Sequence, residues 1–234
     1  MLKMMPILLA VLYAVVMMRF SAWRTGKVLD AKSTELADPM LKSFTDRMAH
    51  ALDLKRIKVF IYEIEPVNGL AAPDGRIFIT RGFFKKYREG AVSAAEMATV
   101  IAHELGHVAL GHTRKRMIDF SGQNALRVGL SMVLSRILPG VGVYIANMLA
   151  SLLAARLSRD DEYEADAYAS ALLIKAGIGT EPQKSLFGKL EKLMPGGAAA
   201  PLPAWLMSHP KSQERIAAIE RNEARWTGGN LPTT

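Results

Sequence analysis

The chain has 234 residues, half of them hydrophobic, and a formal net charge of +8, enough length for one well-buried domain with an appendage. It has no cysteine, which excludes disulfides and thiolate zinc sites, so any bound metal must be held by histidine and carboxylate. Positive charge suits anionic lipid or nucleic acid; the chain has no nucleic-acid motif, so membrane lipid is the expected partner and nucleic acid is not.

Met4 to Met18 is an uncharged apolar run preceded by Lys3 and followed by Arg19, Arg24 and Lys27. At about 15 residues it falls short of the roughly 20 that span a bilayer, although Phe20 to Trp23 extend it into the interface. Arg19 follows directly and no small-x-small cleavage site appears, so residues 1–27 read as an uncleaved anchor in preference to a signal peptide. Its orientation stays open. The heavier positive charge downstream favours a cytoplasmic domain, whereas the short apolar stretch behind Lys3 resembles an export signal.

Val28 to Leu36 is polar and helix-compatible. Asp38-Pro39 then reads as the N-cap and first residue of an amphipathic helix through Leu41, Phe44, Met48 and Leu52. Lys58 to Ile64 is rich in β-branched and aromatic residues and predicts a strand; Arg76 to Thr80 predicts a second, after the turn signal Pro73-Asp74-Gly75. By pattern, Asn68 to Gly82 is an ordinary hairpin. An exposed strand beside a metal site can also hold an extended peptide through backbone hydrogen bonds.

Ser93 and Glu96 have the spacing of a capping box, and Ala94 to Ala102 form an apolar, helix-favouring run into His103-Glu104-Leu105-Gly106-His107. Two histidines four apart on a helix project about 40° apart, so both imidazoles can bind one metal ion. Glu104 is not needed as a ligand. A carboxylate there can take a proton from water activated by the metal, as hydrolysis at neutral pH requires. His112 falls out of register with a third-histidine motif and points about 140° from His107 on a continued helix. It is expected beside the ligands or at the surface, and the third ligand must lie elsewhere.

Ile118 to Leu157 is largely apolar and broken at Pro139-Gly140, which predicts two helices. The second, Val141 to Leu157, is nearly long enough to cross a membrane, but Asn147 and its small residues fit equally a helix lying on lipid or packed in a bundle. In Ser158 to Ala169, Glu162 and Asp166 are i and i+4. One helix side can therefore present Glu162 to a metal and Asp166 to the outer N–H of a ligand histidine. Glu164 points the opposite way and is the weaker candidate. Met194 to Trp205 is a Pro/Gly/Ala-rich loop, and Gly228 to Thr234 a tail expected to be disordered, leaving 28–227 as the folded domain.

With these residues in place the chain resembles the HtpX-like and CAAX-prenyl-protease-type zinc endopeptidases, a group that includes the mitochondrial Oma-type protease. Four motifs carry the likeness in order: His103 to His107; Glu162-Tyr163-Glu164-Ala165-Asp166; Asn68 to Gly75 continuing through Ile77-Phe78-Ile79-Thr80; and Ser208-His209-Pro210 to Arg215-Ile216. The resemblance implies a predominantly helical α+β, zincin-type metalloprotease domain with a small sheet whose edge strand lies beside the active-site helix, plus the N-terminal anchor. It implies one zinc ion per chain held by His103, His107 and Glu162, with Glu104 as general base and Asp166 orienting a ligand. It places Asn68, Ala71, Ile77, Phe78 and Ile79 along the bound substrate, and His209 and Arg215 near the zinc or the oxyanion. The implied activity is endoproteolysis of extended, misfolded or membrane-associated proteins at a bacterial inner membrane. The chain departs from HtpX in having one clear anchor segment, not four membrane helices. The alternative is a membrane-associated chaperone or assembly factor that keeps a zinc site; Glu104 argues against it, because a structural site has no use for a general base.

Overall fold

The structure is a computed structural model that describes residues 5–72, 74–112, 128–190 and 213–227. In chain order these form α1 (Met5–Ala31), β1 (Ser33–Glu35), α2 (Pro39–Ala51), β2 (Val59–Tyr62), β3 (Gly69–Ala71), β4 (Ile77–Thr80), α3 (Arg81–Arg88), α4 (Ala94–Ala109), α5 (helical residues 128–137), α6 (Gly142–Lys175), α7 (Glu181–Leu190) and α8 (Gln213–Thr227). The architecture is mostly helical α+β with one small open sheet. His209, Pro73, the Met194 to Trp205 loop and the 228–234 tail lie outside the described residues.

The chain divides into two compact units, Met1–Leu29 with Gly111–Asp161, and Asp30–Leu110 with Glu162–Thr234. The second holds the sheet, in the order β1-β2-β4-β3. Local rules place its elements. The Asp38 carboxylate accepts from Met40 N and Leu41 N at 3.0 Å, with Pro39 in the first turn, where a missing N–H costs nothing. α2 then buries Leu41 and Met48 against Val59 and Ile61 of β2, Ile77 and Ile79 of β4, and Met97 and Ile101 of α4. Each such side chain contributes about 1.5–3 kcal/mol of burial. Phe78, on the opposite face of β4, stacks on Phe60 with ring centroids 5.4 Å apart.

β2 and β4 pair in parallel, and the hairpin is β3–β4, closed by a turn in which Gly75 adopts φ +87°. Ile77, Phe78 and Ile79 are therefore on an interior strand, paired on both sides and at most 1% exposed. β1 and β3 are the edge strands, so these three residues do not lie on the sheet edge expected of them. β1, in the stretch read as helix-compatible, is the other departure; its pairing with β2 supplies what its polar sequence does not. Where β4 runs into α3, a methyl group on Gly82 would lie 1.7 Å from the Glu65 carbonyl oxygen, so only glycine fits.

In the first unit, Pro139-Gly140 does separate two helices, and Gly140 has φ +88°. α6, however, continues without a break through the acidic stretch to Lys175. Among the described residues no helix is long and apolar enough to cross a membrane.

Candidate metallopeptidase centre

α4 begins at the capping box expected from sequence: Ser93 Oγ accepts from Glu96 N (3.2 Å) and Glu96 Oε2 from Ser93 N (2.8 Å). The Glu96 carboxylate also takes hydrogen bonds from Ser185 Oγ (2.6 Å) and Lys189 Nζ (2.9 Å). The first turn of α4 is thus tied to α7. Two turns on, His103 and His107 share one face of the helix.

The opposing face comes from α6, which crosses α4 at Gly106. A methyl group there would lie 3.0 Å from the Ala165 carbonyl oxygen and 3.1 Å from Ala165 Cα. Glycine opposite alanine lets the two backbones touch, which brings Glu162 and Asp166, one turn apart, onto the histidines. His103 Nε2 and His107 Nε2 are 3.1 Å apart, and each lies 3.4 Å from an oxygen of Glu162. Asp166 Oδ1 accepts from His103 Nδ1 at 2.9 Å, which leaves the Nε2 lone pair facing the cluster. His103, His107, Glu162 and Asp166 are each at most 3% exposed.

The donor set fits a metal ion. Four tetrahedral donors about 2.0–2.1 Å from one ion are about 3.3–3.4 Å from each other, close to the triangle found here. Its charge fits as well. Burial alone would lower the His103 pKa, but hydrogen bonds to Asp166 and Glu162 outweigh it and raise it from 6.5 to about 9. The cluster therefore attracts positive charge, which a divalent cation supplies more fully than a proton.

Arg215 of α8 closes the assembly from behind. Its Nε donates to Asp166 Oδ2 at 2.6 Å and its Nη2 to Oδ1 at 2.8 Å, while Nη1 lies 3.4 Å from Glu162 Oε2. Its guanidinium stacks 4.8 Å from the Phe187 ring. Burial works to raise the Asp166 pKa, yet the bonds from Arg215 and His103 hold it below the usual carboxylate value. Phe187 and Gln183 were not singled out from sequence; Gln183 Nε2 donates to the Asp166 carbonyl (3.4 Å). Gly106 had a signal, since glycine inside a helix implies a packing reason.

β3 lies over the other side of α4. A methyl group on Gly69 would be 2.7 Å from Val100 Cγ1 and 3.3 Å from Glu104 Oε1. Asn68 O accepts from Thr80 N and Ala72 N donates to Arg76 O, so antiparallel alternation turns the N–H and C=O of Gly69 and Ala71 toward the open edge. The Asn68 backbone instead engages Thr80, whose Oγ1 accepts its N–H at 2.9 Å. His112, in the other unit, is buried with Nε2 3.7 Å from Asp161 Oδ1.

Two histidines from one helix, a glutamate from a second and a carboxylate next to the first histidine define a metalloendopeptidase. Residues 35–223 match Peptidase family M48. The chain is 29% identical to the metalloprotease LoiP of Escherichia coli K12, over 76% of its own length and 68% of LoiP. It is 31% identical to the metalloprotease YcaL of the same organism, over 83% of itself and 73% of YcaL. With a protease HtpX homologue of Chlorobium phaeovibrioides it shares 27% identity over 85% and 77%. The chain belongs to peptidase family M48, whose members imply a metal cofactor.

Proposed function

We propose that this chain is a zinc-dependent endopeptidase that cleaves extended segments of misfolded or membrane-associated proteins, tethered to a bacterial inner membrane by residues 1–27. The observation that carries the reading is the triangle of His103, His107 and Glu162, with Glu104 next to His103 on the same helix and its carboxylate close under Gly69 of β3. Zinc held there would polarise a carbonyl and acidify water.

Glu104 takes the proton from the attacking water and delivers it to the leaving amine as the C–N bond breaks. Asp166 fixes the tautomer of His103, and Arg215 holds Asp166 and Glu162 in place. With its donors engaged by these two carboxylates, Arg215 is a positioning residue; the resemblance alone puts His209 on the oxyanion side. The substrate lies along Gly69 and Ala71, bonded through main-chain groups and so accepted with little regard to side chain. No nucleic acid takes part.

The test is casein hydrolysis by the full chain with zinc quantified, comparing the native sequence with Glu104→Gln. About one zinc per chain in both, with cleavage only by the native protein and lost on chelation, is the expected outcome. Stoichiometric zinc without cleavage in either would overturn the peptidase reading; no zinc in either would overturn the ligand set.

A further inference from the structure

The surface chemistry of the two units differs sharply. Of 30 Lys/Arg and 22 Asp/Glu in the sequence, the unit formed by Met1–Leu29 and Gly111–Asp161 holds eleven and three, and the other holds nineteen of each. The entire net charge of +8 therefore lies in the first unit. The same unit carries the apolar surface. Among the described residues, seven exposed large hydrophobics lie on α1 between Leu12 and Val28, ten lie between Val128 and Leu149, and three lie elsewhere.

Residues 128–149 form a helical hairpin. Gly142 packs against the backbone of Leu134 so closely that a methyl group would be 2.3 Å from it. The tip is apolar and open, with Ile137 67%, Val141 53% and Tyr144 77% exposed. Arg136 is the one charged residue between Val128 and Leu149, and no acid occurs from Phe120 to Arg159.

From this we infer that the 128–149 hairpin is a second membrane contact, inserted tip-first into one leaflet of a bilayer containing anionic phospholipid, separate from any anchor at residues 1–27. An apolar tip of this extent is costly in water. A bilayer covers it better than a second copy does, because two units of charge +8 repel each other while anionic headgroups attract them. The described apolar residues run about ten positions to each side of Pro139-Gly140, about 15 Å of helix against roughly 30 Å of hydrocarbon, a depth that fits entry into one leaflet. Arg136, next to the tip, limits the insertion to the shallow depth at which its extended stem still brings the guanidinium to the headgroups, about 5–10 Å. The contact does not depend on the peptidase reading.

The native chain has no cysteine, so a single introduced one can be labelled uniquely. Full-length Ile137→Cys, Tyr144→Cys and, as control, Lys42→Cys on the exposed face of α2 would carry a nitrobenzoxadiazole fluorophore. They would be reconstituted in vesicles of one part phosphatidylglycerol to three parts phosphatidylethanolamine, with or without acyl-chain bromination. The inference expects labels at 137 and 144 to shift to the blue and to be quenched by brominated chains several-fold more than the label at 42. Equal weak quenching at all three sites would overturn it even if the chain is held by residues 1–27. Energy transfer between labelled copies without acyl-chain quenching would overturn it in favour of self-association. All three positions are solvent-facing, and an unchanged thermal melt identifies variants that fold.

Discussion

Replacing Gly106 by alanine separates the cost of the helix crossing from the helix's own stability. The added methyl meets Ala165 O at 3.0 Å, Ala165 Cα at 3.1 Å and Tyr168 Cβ at 3.3 Å, where relaxed contacts are about 3.5–4.0 Å. The backbones must part by roughly 0.5 Å, more than the ±0.2 Å a metal's ligand distances allow. Alanine inside a helix gains about 1 kcal/mol over glycine, and the tight contact returns about 1–3 kcal/mol. Metal-free stability should therefore change little, while zinc affinity falls roughly 10–100-fold as Glu162 moves off the histidines. Urea unfolding of chelator-stripped protein and zinc titration against a competing chelator read the two effects separately. Native zinc affinity with stability raised by about 1 kcal/mol would refute the reasoning, since the crossing would then have slack.

Arg215→Met leaves Asp166 and Glu162 buried without their cation and should cost about 3–5 kcal/mol in metal-free unfolding; a loss under about 1 kcal/mol would deny Arg215 its positioning role. Because the folded pKa of His103 is raised from 6.5 to about 9, its contribution is fully present below 6.5 and lost as pH rises through about 9. Asp166, with a lowered pKa, contributes above the ordinary carboxylate value and is lost as pH falls through its folded one. Denaturant midpoints of the metal-free protein should thus fall from pH 6.5 toward 9, a slope that Asp166→Asn flattens; midpoints that climb over that interval would contradict the His103–Asp166 pairing. Glu96→Gln removes the charge that accepts from Ser93 N, Ser185 and Lys189 and should cost about 1–3 kcal/mol by the same assay; no measurable loss would mean that α7 is held to α4 by apolar packing alone.

The parts legible in sequence were those set by local chemistry. The Asp38-Pro39 cap, the Ser93–Glu96 box, the Gly75 turn, the Pro139-Gly140 break and the i, i+4 pairs His103/His107 and Glu162/Asp166 all fall within one or two turns of chain. What escaped depends on distant partners. β1 is three polar residues made into a strand by β2. The parallel pairing of β2 with β4 passes over β3, so it was β3 and not Ile77–Ile79 that became the edge. Arg215 came from a motif, but its grip on Asp166 and Glu162 needed α8 packed behind α6. The apolar pattern bounds the second helix at Leu157, yet Ser158 to Ala169 contains no proline or glycine to stop it, and α6 runs on to Lys175.

On the proposed substrate edge, the three-residue length of β3 limits how firmly an extended peptide can be held. Gly69 and Ala71 turn four main-chain groups outward, and at about 1 kcal/mol net per hydrogen bond these give about 4 kcal/mol, a dissociation constant near 1 mM. An edge this short favours fast product release and broad sampling of sequences. It also means that a tight inhibitor must draw its affinity from the metal centre, since the strand alone cannot supply it.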